Sequence, residues 1–184
     1  MADAHRGGRA SGRFTKYNAV LRAANGLVPF FVSQCEALCA GNKYTTTVHV
    51  INSGIVKLGK LTPAMRVYRG VSGGALPSEF LEPNEAGIRG GVDMAFSSTT
   101  VDKNVALQYA TSGATGLILT AQMGMVDRGA DLSCYSQYPH EREICFAPLC
   151  GVEVVSMAVE RSVLLVECRF SVNVRRALPL YPPA

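Results

Sequence analysis

No stretch of this sequence comes near the roughly 18 consecutive apolar residues that a membrane-spanning helix requires, so a span is excluded. The first apolar run, Leu27 to Val32, comes late, is short and contains Pro29, unlike a secretory signal. No CxxC pair occurs, and His5, His49 and His140 stand at no ligand spacing from any cysteine pair, so no metal site is expected. No G-x-G-x-x-G follows a strand-like run and no phosphate-binding G-x-x-x-x-G-K-[ST] is present, which removes the two commonest nucleotide folds. Low-complexity tracts are also missing, and with 17% charged residues the chain reads as a compact fold.

What is present fits one core. A chain of 184 residues, 48% of them hydrophobic, has the size of a single domain. Net charge is +4, and much of the excess sits at the start, where Arg6, Arg9, Arg13 and Lys16 alternate with small residues. Residues 1–13 read as a flexible basic arm, and residues 14–184 as the domain. No aromatic residue interleaves with these charges before Phe14, so no specific nucleic acid partner is expected. The six cysteines form no recognisable disulfide framework, and Cys35 and Cys39 at i, i+4 read as buried free thiols. A cytosolic setting is expected, with a secreted or effector protein as the alternative if a signal preceded this sequence; the oligomeric state is left open.

Apolar spacing predicts helices over Phe14–Ala24, Pro29–Cys39 and Tyr44–Leu58, the last capped from Thr45 to Thr47, with a strand as the alternative because of its β-branched content. From Leu61 the texture changes. Strands are predicted at Met65–Gly70, Met94–Ser97, Gly116–Met123, Glu143–Phe146, Val152–Val159 and Leu164–Val174, with a helix over Asp102–Thr111 capped by Asp102 and a polar loop over Asp131–His140. Helices about 14–60 followed by a β core about 61–176, without regular βαβ alternation, specify an α+β fold.

Three short elements follow in order: Tyr68-Arg69-Gly70, Phe96-Ser97-Ser98-Thr99-Thr100, and Glu141-Arg142-Glu143. Singly, each is an ordinary feature: a surface arginine, a Ser/Thr turn, a chance acidic pair. Together, with an aromatic before the Arg, a Phe leading into Ser-Thr-Thr, a helix after it and a polar loop running into Glu-x-Glu, they resemble the R-S-E class of mono-ADP-ribosyltransferases. That class includes clostridial binary-toxin enzymes and vertebrate arginine-specific transferases. The resemblance covers about Leu61 to Val155 and extends to Tyr138, three residues before the first Glu.

The resemblance implies helices packed on a mainly antiparallel two-sheet β core with an NAD cleft. It also implies transfer of ADP-ribose from NAD to arginine side chains of a protein acceptor. Arg69, with its fixed planar fork, is expected to contact the pyrophosphate, and the backbone of Gly70 to lie against the nicotinamide carboxamide. Glu143 is expected to bind the ribose 2′-hydroxyl and stabilise positive charge as the glycosidic bond breaks. Ser98 is expected to orient Glu143, Thr100 to support the nicotinamide pocket, and Thr99 to be structural or to touch the cofactor.

Glu141 is expected to orient the acceptor guanidinium and help it lose a proton, with Tyr138 facing the acceptor. An extended Glu141–Glu143 would put both carboxylates on one side. Tyr109, or the Thr111–Thr115 loop, is a candidate to stack on nicotinamide, although Tyr109 also fits the buried face of its helix. Two alternatives share most of these residues: an NAD glycohydrolase with water as acceptor, and a non-catalytic binding module.

Overall fold

The computed structural model describes residues 9–73, 76–112, 116–160 and 162–172. Three helices come first: α1 (Arg9–Ala23), α2 (Pro29–Cys39) and α3 (Thr45–Gly59). Strand β1 (Arg66–Ser72), the short helix α4 (Ser78–Leu81), β2 (Gly90–Asp93), β3 (Ser97–Thr100) and helix α5 (Lys103–Ala110) follow. The chain continues with β4 (Gly116–Gln122), β5 (Ala130–Asp131), a 3-10 turn η1 (Pro139–Glu141), β6 (Glu143–Phe146), β7 (Cys150–Glu160) and β8 (Val163–Ser171). The fold is α+β, with helices before strands.

Several boundaries differ from the sequence reading. Helix α1 begins at Arg9, so the backbone from Arg9 to Arg13 is helical rather than an arm; residues 1–8, and the predicted end of the last strand at 173–174, lie outside the described residues. The β-branched segment at Thr45–Gly59 is a helix, because Val48, Ile51, Ile55 and Leu58 recur on one face and pack with Phe96, Ala130 and Cys145. Its predicted Thr cap is not used: the N-cap is Tyr44, in the left-handed region, without a side-chain cap. Of the strand expected at Met94–Ser97, residues 94–96 instead link β2 to β3, and Ser97 opens β3. Asp102 does cap α5, accepting from Asn104 N at 2.8 Å.

The strands form one hydrogen-bonded sheet in the order β2-β7-β8-β4-β1-β3-β6-β5, where two sheets are expected. All neighbouring pairs are antiparallel except β4 with β8. The reason for the difference lies at β1 and β3, which meet at a single register pair, Tyr68 opposite Thr100. At that narrow junction the sheet bends back on itself. Phe146 of β6 and Phe170 of β8, four places apart in the strand order, meet edge to face with centroids 5.0 Å apart. Val67, Ile144, Phe146, Val166 and Phe170 thus share one core, and burying a side chain such as Phe146 stabilises by about 1.5–3 kcal/mol. One sheet does the work of two layers.

Helix α5 covers β1 and β4 through Ala106 and Ala110, which pack on Ile118 and Val163. The approach is close because Gly70 has no side chain: a Cβ there would lie 2.0 Å from the Ala106 carbonyl oxygen. Among the described residues no helix is long and apolar enough to cross a membrane.

Candidate active site

A cleft of about 440 Å³ opens between α1, α5 and the junction of β1 with β3. Arg69, Gly70, Ser98, Thr99, Thr100, Tyr109, Glu141 and Glu143 all line it. Three motifs far apart in sequence are brought together because β1, β3 and β6 are consecutive in the sheet.

The register explains the central contact. In β3 and β6, Thr100 stands opposite Glu143 and Ser98 opposite Cys145, so Ser98 and Glu143 are diagonal neighbours on one face. Ser98 Oγ donates to Glu143 Oε1 at 2.6 Å. Thr99 points the other way and donates to the Ile144 carbonyl at 2.7 Å, so its hydroxyl is used within the sheet. Thr100 Oγ1 donates to the Glu141 carbonyl at 2.6 Å and accepts from Asp102 N at 3.0 Å.

Glu141 and Glu143 converge on the cleft by a route other than the extended strand expected from the sequence. Glu141 ends η1, Arg142 adopts the left-handed region with φ 47°, and Glu143 opens β6. A non-glycine residue in that region is uncommon; here it reverses the chain so that both carboxylates face the same space. Glu143 also borders an apolar hollow of about 270 Å³ lined by Phe14, Ile55, Leu58, Phe96 and Cys145.

Tyr109 is not core. Its side chain is 54% exposed, and its hydroxyl donates to Glu141 Oε1 at 2.9 Å. Partial burial and this bond push the phenol above its ordinary pKa. Gly70 lines the cleft, and the space a side chain would need there is filled by α5. Tyr138 lies half exposed, edge to face with His140 at 6.1 Å, and is not among the residues lining the cleft. Residues 113–115 of the Thr111–Thr115 loop lie outside the described residues.

Four contributors escaped the sequence reading. Arg69 Nη1 donates to Asp93 Oδ2 at 3.0 Å and also to Ser97 Oγ. Asp93 is itself held by accepting from Ala95 N at 3.1 Å. Helix α1 adds Phe14, Asn18 and Arg22 to the cleft wall. Asn18 is buried and exchanges two hydrogen bonds with the backbone of Phe96, clamping α1 to the chain just before Ser97. Phe14, Asn18 and Arg22 recur every four residues, a helical stripe that spacing could have revealed; Asp93 carries no local signal.

No protein-family model and no curated protein sequence matches the chain. Solved structures do. The ADP-ribosyltransferase HopU1 of Pseudomonas syringae pv. Tomato DC3000 superposes with a TM-score of 0.57 at 22% identity, over 72% of this chain and 57% of HopU1. The ADP-ribosyltransferase Vis from Vibrio splendidus, in complex with agmatine, gives a TM-score of 0.62 at 18% identity, over 92% of this chain and 72% of Vis. An ADP-ribosyltransferase from Clostridium botulinum gives 0.52 at 12% identity, over 84% of this chain and 79% of that enzyme. This chain thus spans little more than half the length of HopU1. At these identities the likeness is one of architecture: the chain has the fold of the bacterial ADP-ribosyltransferases.

Proposed function

We propose that this protein is an NAD-dependent mono-ADP-ribosyltransferase that moves ADP-ribose from NAD to arginine side chains of a protein acceptor and releases nicotinamide. The observation that carries this reading is the Ser98–Glu143 hydrogen bond at 2.6 Å in a cleft that also holds Glu141 and Arg69.

The residues present suit NAD as donor. Arg22 and Arg69 bring two permanent positive charges to the cleft wall, matching the anionic pyrophosphate. Both bonds from Arg69 to the protein use Nη1, which leaves the opposite edge of the guanidinium to take phosphate oxygens. Glu143, with one carboxylate oxygen fixed by Ser98, can accept a hydrogen bond from the ribose 2′-hydroxyl and stabilise the positive charge that develops as the glycosidic bond breaks.

Glu141, on the same cleft, supplies the carboxylate that an acceptor guanidinium needs. Arginine is a poor nucleophile while protonated, so orientation and help with losing a proton are both required. Agmatine, bound to the structural relative Vis, is itself a guanidinium compound, which supports the same acceptor class here.

The test is incubation with labelled NAD and agmatine or an arginine-rich protein, comparing the unaltered chain with Glu141→Gln and Glu143→Gln. Hydroxylamine-labile label that is lost in both variants, with NAD cleavage persisting only in Glu141→Gln, is the expected result. Cleavage without label in the unaltered chain indicates a glycohydrolase; neither activity indicates a binding module.

A further inference from the structure

Glu141 is held at two points, its backbone carbonyl by Thr100 and its carboxylate by Tyr109. Thr100 Oγ1 donates to the Glu141 carbonyl at 2.6 Å and accepts from Asp102 N at 3.0 Å. Asp102 caps α5, and α5 carries Tyr109, whose hydroxyl returns to Glu141 Oε1 at 2.9 Å. The helix is also fixed against β1, since the missing Cβ of Gly70 is replaced by the Ala106 carbonyl. The backbones carrying both ends of the Tyr109–Glu141 bond therefore rest on the same Thr100–Asp102 corner, which sets the distance the bond has to span.

Tyr109 has no packing reason to be there. It is 54% exposed while its helical neighbours Ala106 and Ala110 are fully buried, and a phenol is an amphipathic group whose hydroxyl seeks a partner. The bond uses Oε1 of Glu141, a residue that lines the cleft, and engages only that one of its two carboxylate oxygens. A guanidinium arriving there meets a carboxylate already fixed in rotation, so it does not have to order that side chain itself.

We propose that Tyr109 is a positioning residue for the acceptor: its hydroxyl, reaching across the donor cleft from α5, holds Glu141 so that Oε2 receives the acceptor guanidinium. This rests on the arginine-transfer reading above and deepens it, because it assigns acceptor affinity to a residue on the donor side of the cleft. It also assigns end-on rather than fork-to-fork recognition, since one carboxylate oxygen is already engaged.

Two measurements test it. First, the Tyr109 hydroxyl is titrated by NMR with ring-labelled tyrosine. In the unaltered chain it titrates above an ordinary tyrosine, under the influence of burial, Glu141, Glu143 and Tyr138, and Glu141→Gln brings it down. A Tyr109 titration that ignores Glu141→Gln shows that the bond is absent and overturns the proposal.

Second, Tyr109→Phe, which keeps the ring and removes the donor, is assayed with NAD and agmatine. Losing a hydrogen bond to a charged, half-exposed carboxylate should raise the agmatine KM about fivefold more than it raises the NAD KM. Parallel changes in the two constants, or none, would mean that the ring only packs or stacks, and overturn it. If the unaltered chain cleaves NAD but never modifies agmatine while the titration shows the bond, the transfer reading fails rather than the geometry, and the acceptor role falls with it.

Discussion

Ser98 Oγ lies 2.6 Å from Glu143 Oε1, the distance of a strong hydroxyl-to-carboxylate hydrogen bond, and the two residues are diagonal neighbours on paired strands. The pairing of β3 with β6 thus sets the orientation of the Glu143 carboxylate. Ser98→Ala should therefore lower kcat for NAD cleavage about 10- to 100-fold, the range for losing a hydrogen bond to a charged group. The melting temperature should change little, since Ser98 is only partly buried. Steady-state kinetics with circular-dichroism melting checks this, and an unchanged kcat would show that Glu143 needs no such partner.

Gly70 is a structural requirement before it is a functional one. A Cβ at this position would sit 2.0 Å from the Ala106 carbonyl oxygen and 2.9 Å from Ala110 N, both backbone atoms that cannot move without displacing α5. Gly70→Ala should destabilise the fold by about 1–3 kcal/mol or more, the cost of overpacking. Urea denaturation without any ligand measures it. If stability is unchanged and only NAD binding falls, the glycine serves the ligand after all.

Asp93 joins Arg69 in an ion pair at 3.0 Å, with side chains 24% and 20% exposed for Arg69 and Asp93. By holding Nη1 it fixes the plane of the guanidinium. Asp93→Ala should weaken NAD binding about fivefold through lost orientation, with a stability loss of about 1.5–3 kcal/mol for a hydrogen-bonded pair this largely buried. Calorimetric titration of NAD decides the matter. Tighter binding in the variant would mean that Asp93 competes with phosphate for Arg69.

The sequence was legible where a local pattern and a local structure coincide. Ser98, Thr100, Glu141 and Glu143 are held by short motifs whose spacing strands and turns preserve, and the three N-terminal helices follow from apolar periodicity. Asp93 could not be found this way, because its pairing with Arg69 depends on the sheet bending at Tyr68–Thr100, a contact set by long-range packing. The reading of Tyr109 as a core residue fails for a related reason. Its spacing places it on the helical face of Ala106 and Ala110, but the last turn of α5 overhangs the cleft. The route from Glu141 to Glu143 was hidden as well, since nothing about Arg142 announces a left-handed residue.

The thiols give a prediction that depends on burial alone. Cys145, Cys150 and Cys168 are buried, and desolvation is the largest cause pushing each up to about 12 from the ordinary 9.0. Cys134, on the loop before η1, is exposed. At pH 8 a thiolate-specific reagent should therefore modify Cys134 fastest, the half-buried Cys35 more slowly and these three only at the rate of global unfolding, and Cys134→Ser should remove the fastest phase. The sign of the linked stability follows from the direction of the shift. Because the folded state keeps these protons longer than the unfolded state, their contribution is fully present below about pH 9 and is lost as pH rises towards 12. Urea midpoints should fall across that alkaline window, and less so in Cys145→Ala than in the unaltered chain, measured relative to each protein's value at pH 8. Rapid labelling of Cys145 at pH 8 would contradict the packing of β6 against α3.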